Sequence, residues 1–165
     1  MVMEEDYNES ISKFLPQLYE GHQKFKKEGR EFNMMLHAGE SNCKNNRELY
    51  YAINLGTKRI GHGLQLSKCP TLQKIVKEKE ICLEVCPVSN FILGYTLDLR
   101  CHPARGLLHA GFPVAICSDD PGFWGYDGLT LDYVYAFLAW DLDLADLKQL
   151  AINSLTYSSI ADETK

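Results

Sequence analysis

The sequence predicts an α/β fold of parallel strands and crossover helices, about four strand–helix units in all. Three observations carry this. Short apolar runs of strand length alternate with stretches of helical spacing. The connections between them are short, and parallel neighbours need a crossover element. Ionisable residues gather just after the C-terminal ends of the apolar runs, where parallel α/β folds build their sites. Four units cannot close an eight-stranded barrel, so the sheet is either open or half of something larger.

The strand-like runs are Phe32–Leu36, Lys58–Ile60, Ile81–Val85 and Pro113–Cys117. Before the first, Ile11, Phe14, Leu15, Leu18 and Tyr19 make one apolar stripe, ended by a lysine-rich turn and Gly29. Asn46 to Leu55 makes a second helix, with Gly56 in the C-cap position. Leu72, Ile75 and Val76 mark a third, with Pro70 near its start. Ala104 to Ala110 is a fourth, stopped by Gly111, and Leu129 to Trp140 and Leu144 to Leu155 follow the last strand. No low-complexity linker divides the chain.

Composition narrows the class. The 165 residues are 45% apolar and 24% charged, as in an ordinary globular domain with a real core. A net charge of −5 argues against a nucleic-acid or anionic-membrane partner, since both need clustered Lys and Arg. The one basic cluster, Lys24 to Arg30, contains Glu28 and reads as a solvated helix end. No apolar run approaches the roughly 18 residues of a membrane span. Met1 to Ser10 is acidic and lacks the pattern of a signal peptide. Six cysteines include no C-x-x-C pair, and Cys82, Cys86 and Cys117 lie in or beside apolar runs as small hydrophobes.

The strand-end clusters are His37-Ala38-Gly39-Glu40, Gly61-His62-Gly63, Glu84 to Asn90, and Ser118-Asp119-Asp120-Pro121. Each has a plain structural reading. His37 could be a hydrogen-bonded strand-end histidine, Glu40 a carboxylate at a helix N-terminus, His62 a turn residue, and the Asp119-Asp120 pair an N-cap. Their joint placement favours function, because independent turns have no reason to put ionisable residues at the same end of every strand. A histidine and an aspartate suit zinc, which keeps one position for water in catalytic sites. A second histidine and a second acid nearby can move protons. The residue types therefore point to metal-assisted hydrolysis at a carbon bearing a leaving group.

Met35-Leu36-His37-Ala38-Gly39-Glu40, Arg59 to Gly63, Glu84 to Asn90 and Ser118 to Pro121 together resemble the adenosine/AMP deaminase superfamily in order and spacing. Asp98-Leu99-Arg100-Cys101-His102-Pro103 and Phe123 to Leu129 look closer to the secreted adenosine deaminase-related growth factors. The resemblance runs from about Met1 to Ile160 and implies the C-terminal half of a TIM-type (β/α)8 barrel. It implies zinc as cofactor, with His37 and Asp119 as metal ligands. Glu40 matches the acid that protonates the purine ring nitrogen. His62 matches the histidine that orients or deprotonates the attacking water, and Asp120 the carboxylate that hydrogen-bonds purine and water. Glu40 and Asp120 are thus both catalytic and substrate-binding. Ser89 and Asn90 receive no role beyond holding a loop, and His102 reads as a helix-start residue.

The resemblance also implies an H-x-H pair of zinc ligands on the first barrel strand. The five histidines, His22, His37, His62, His102 and His109, contain no such pair. A glycine that contacts the purine would fall at about Met3, where a methionine keeps the N–H but adds bulk. The expectation is a partial catalytic domain over residues 1–165. Its complete form deaminates adenosine to inosine and ammonia and acts likewise on deoxyadenosine, while the isolated chain is inactive. The alternatives are an inactive half-barrel serving as a binding or regulatory module, and a related deaminase of AMP or adenine. A purine nucleoside is the expected small-molecule partner, and open sheet edges predict homodimer formation. The resemblance implies an extracellular protein, which the Asn8-Glu9-Ser10 sequon supports mildly, although the chain shows no signal peptide.

Overall fold

A computed structural model describes residues 4–160. Met3, with the contact expected of it, lies outside the described residues. Among the described residues, strands β1 (Met35–Ala38), β2 (Arg59–His62), β3 (Cys82–Val85) and β4 (Val114–Ile116) form one sheet in the order β1-β2-β3-β4. Every pairing is parallel, in the registers Leu36↔Ile60, Ile60↔Leu83 and Leu83↔Val114. Helix α1 (Leu15–Lys27) precedes the sheet, and α2 (Glu48–Asn54) joins β1 to β2. A 3₁₀ segment and α3 (Pro70–Glu78) join β2 to β3; α4 (Pro87–Ile92) and α5 (Pro103–His109) join β3 to β4. After β4 come α6 (Pro121–Trp124), α7 (Thr130–Trp140) and α8 (Leu144–Thr156).

Side chains alternate between the two faces of a strand, and the registers line them up in rows. Leu36, Ile60, Leu83 and Val114 form a row on one face, with Val85 and Ile116 beyond it. This face joins Leu49, Ala52, Ile53, Leu72, Val76, Leu107, Trp140 and Leu150 from the helices in a single core. Parallel strands covered by helices read as continuous apolar runs for this reason. The opposite face carries the row His37, Gly61, Glu84 and Ala115. There Arg59 Nε donates to Glu84 Oε1 at 2.6 Å, so this face holds an ion pair rather than a continuous apolar surface. At the β4 edge, Asn153 Nδ2 from α8 donates to the outward carbonyl of Val114 at 2.8 Å.

Two strands differ from the sequence reading by more than one residue at an end. β1 begins at Met35 rather than Phe32, because the ladder with β2 starts only where Lys58 N–H meets Met34 O. Phe32 instead packs its ring 5.1 Å from Phe25 on α1. β2 likewise extends to His62 rather than ending at Ile60. His37 and His62 are therefore strand residues near the C-terminal ends, not loop residues after them. Helices α4 and α6 were not expected. Both are short, open with a proline and follow a site-bearing strand end.

Candidate active site

The site forms where the strands run out. β1 presents His37, and Glu40 follows it two residues past the strand. The turn between them depends on Gly39, whose φ is +82° and where a Cβ would fall 2.8 Å from Leu49 Cγ. No side chain fits there. On β2, a Cβ at Gly61 would stand 3.2 Å from the His37 Cα, so the glycine lets the two strand ends lie flush beneath the site. His62 ends β2 with φ +63°, and Asp119 follows β4 with φ +56°. Non-glycine residues in this left-handed region store backbone strain, and such strain gathers at functional sites.

These turns bring four of the five expected residues together. The His37 and His62 rings stand 4.5 Å apart, centroid to centroid. Glu40 lies between them, with Oε2 3.1 Å from His37 Nε2 and Oε1 3.1 Å from His62 Nδ1. His62 Nε2 is 3.7 Å from Asp119 Oδ2. Donor atoms of His37, Glu40 and His62 fall within 4.8 Å of one another, as do those of His62, Cys86 and Asp119. His62 thus joins the two expected ligands, His37 and Asp119, which do not share a group with each other among the described residues. Asp120 stands apart. It is exposed, its side chain makes no hydrogen bond among the described residues, and its carbonyl opens α6 by accepting from Phe123 N–H at 2.9 Å.

Burial sets the protonation of the centre. Glu40 is 6% exposed, and desolvation raises its carboxyl pKa above the ordinary value against the lowering effect of His37. Burial, aided by His37, lowers the His62 pKa to about 4 and keeps that ring neutral. His37 Nε2 is buried and faces two carboxyl oxygens, Glu40 Oε2 at 3.1 Å and Glu5 Oε2 at 3.6 Å. A ring nitrogen buried beside carboxyl oxygens can share a metal ion with them in place of a proton. The donors present, imidazole and carboxylate, suit zinc.

Several further residues hold this centre; Glu5 and Asp132 carry no signal in the sequence, whereas Ser89, Asn90 and His102 read there only as loop-holding or helix-start residues. Glu5, from the N-terminal segment, is buried and accepts from Gly39 N–H at 2.9 Å and Glu40 N–H at 3.0 Å. It also accepts from Asn46 Nδ2 at 2.7 Å, tying the turn after β1 to the start of the chain. Ser89 Oγ donates to Asp119 Oδ2 at 2.7 Å. Asn90, fully buried on α4, touches Glu40, His62 and His102. Asp132 of α7, also fully buried, accepts from Val88 N–H at 3.0 Å and from the Tyr126 hydroxyl at 2.9 Å, anchoring α4 from below. His102 does start a helix, its Nδ1 capping α5 by accepting from Ala104 N–H at 3.0 Å.

Parallel strands with ionisable groups at their C-terminal ends are how barrel enzymes build a mouth. The family model described as adenosine deaminase matches residues 8–165, and the chain belongs to that family. It is 43% identical over its whole length to adenosine deaminase 2 of Dictyostelium discoideum and spans 30% of that protein. Against human adenosine deaminase 2 it is 40% identical over 84% of its length, covering 28% of the relative. Among solved structures, an Arabidopsis ADAL–IMP complex superposes with TM-score 0.79 at 23% identity, over 96% of this chain and 43% of that one. A zinc-bound amidohydrolase from Burkholderia ambifaria gives TM-score 0.72 at 24% identity, over 88% of this chain and 40% of that one. The four strand–helix units are therefore part of an eight-stranded barrel architecture, and the relatives extend well beyond the chain.

Proposed function

We propose that residues 1–165 form the C-terminal half of the catalytic domain of a zinc-dependent adenosine deaminase, converting adenosine to inosine and deoxyadenosine to deoxyinosine with release of ammonia. The observation that supports this best is the convergence of His37, Glu40, His62 and Asp119 at the strand ends, with His37 Nε2 buried against the Glu40 carboxyl. His37 and Asp119 would hold part of the zinc, whose contribution is Lewis-acid activation of water near neutral pH. A catalytic zinc takes about three protein ligands, so the upstream half is expected to supply the rest as an H-x-H pair.

The chain's own groups divide the remaining work. Glu40, whose carboxyl pKa burial raises, gives a proton to the purine ring nitrogen beside the attacked carbon. Water's oxygen bonds to that carbon, one of its protons passes to the departing amino group and the other restores the Glu40 carboxyl, and the C–N bond breaks as ammonia leaves. His62 faces the same pocket on the Asp119 side. The exposed carboxylate of Asp120 is free to meet substrate. Glu5 and Gly39 fix the turn that aims Glu40.

The test pairs this chain with the first four βα units of an adenosine deaminase 2 relative, in trans or fused, in added zinc. Adenosine, deoxyadenosine, AMP and adenine are offered in turn. Zinc binding and adenosine turnover should appear together, and both should vanish in Asp119→Ala. Turnover that survives Asp119→Ala would sink the assignment, and a preference for AMP or adenine would move the substrate.

A further inference from the structure

Three side chains run in line from a helix end to the candidate site. The backbone N–H of Ala104 donates to His102 Nδ1 at 3.0 Å. A backbone amide carries its proton without ambiguity, so this ring nitrogen is bare, and a neutral His102 holds its proton on Nε2. That Nε2 meets Asn90 Oδ1 at 3.2 Å. The other end of the Asn90 amide, Nδ2, lies 2.9 Å from Glu40 Oε1 and 3.0 Å from His62 Nδ1. Flipping the amide would set its NH₂ against the N–H of His102 and its oxygen against the Glu40 carboxyl oxygen. The backbone anchor therefore fixes which way Asn90 faces.

An amide NH₂ can only donate. His62 Nδ1 accepts from it, in place of donating to Glu40 Oε1 at 3.1 Å, and a neutral His62 then carries its proton on Nε2, the nitrogen that faces Asp119 Oδ2 at 3.7 Å. His102 and Asn90 are both buried to within 2% exposure, so water does not compete for these bonds. Resting on the reading of this pocket as the deaminase site, we infer that His102 and Asn90 are positioning residues. Anchored on the Ala104 amide, they lock His62 in the Nε2–H tautomer, so that it offers the pocket a hydrogen-bond donor. His62 in this state orients an oxygen by donating to it; it has no free Nε2 lone pair with which to take a proton.

The histidine tautomers can be read directly on the purified, metal-free chain by long-range ¹H–¹⁵N NMR at a pH above the histidine range. This needs no turnover, so a failure of the deaminase reading and a failure of the relay are separable. The wild type should show a bare Nδ1 and a protonated Nε2 on both His62 and His102. Asn90→Asp can still accept from His102 but cannot donate, and His62 should move its proton to Nδ1 or lose a fixed tautomer. His102→Asn keeps a capping side chain at α5 while removing the far donor, and should likewise release His62. It carries the test if Asn90→Asp does not fold. A wild-type His62 protonated on Nδ1, or a folded variant whose His62 keeps the Nε2–H tautomer, overturns the relay. A residue that merely filled space would leave the tautomer where it was.

Discussion

Glu40 is held by four groups of the pocket: a backbone bond to Glu5, the Asn90 amide, and both site histidines. Such a carboxyl is placed to hold and release one proton. In the complemented protein, Glu40→Gln should keep zinc and bind purine, yet lower kcat by ~10²–10⁴, the typical worth of a positioned acid. Retention of more than about a tenth of wild-type kcat would remove the proton-donor role. Gly39 makes a separate prediction, about stability. Gly39→Ala combines a forbidding φ of +82° with a clash against Leu49, and should lose more than about 1 kcal/mol by urea unfolding. An unchanged midpoint would mean that the turn after β1 has another conformation open to it.

At the scale of elements, α4 and α5 are the parts whose anchoring decides the site. Asp132→Ala leaves the buried Val88 N–H without its acceptor and should cost about 1–3 kcal/mol, seen as a lower urea midpoint with unchanged slope. His102 gives a pH dependence. Burial lowers its pKa from 6.5 to about 4 in the folded chain, so the unfolded chain takes up this proton first as pH falls. Stability from this residue is intact above pH 6.5, declines between 6.5 and about 4, and is level below. His102→Asn should flatten that slope by up to about 1.4 kcal/mol per pH unit. If the slope stays the same, His102 is not buried neutral.

These same elements show what the sequence could and could not reveal. The four strands and most helices follow from periodicity and glycine stops, and the strand-end clusters mark the mouth. The β1 start was misplaced because Phe32, apolar like the strand, serves α1 instead. Helix α4 was invisible because Pro87–Ile92 is under two turns long and its Phe91 and Ile92 face outward. Glu5 and Asn90 act on groups 35 and 50 residues away in sequence, and no local pattern encodes such contacts. Asp120 is the reverse case, a residue that motif spacing marks and that this half of the fold leaves facing solvent.

For the whole molecule, exposed apolar side chains weigh most. Phe91, Ile92 and Leu93 are about half exposed, Leu97 is 87% exposed and Phe123 is 85% exposed, all near the mouth side of the sheet. Large apolar surface of this kind seeks a cover. Sedimentation velocity should show the chain self-associating as concentration rises, and the complementary half should suppress this. A monomer at every concentration would end the homodimer expectation. The sheet order described above has a consequence of another kind. Because β1, β2, β3 and β4 neighbour one another in the order of the chain, each strand leaving the ribosome meets a partner made just before it. Sequence separations stay short, so the ladder can zip in the direction of synthesis. Glu5 emerges before Gly39 and Glu40, whereas Asp119 arrives only when the ladder is complete. The pocket is thus finished last, on a sheet already built to receive it.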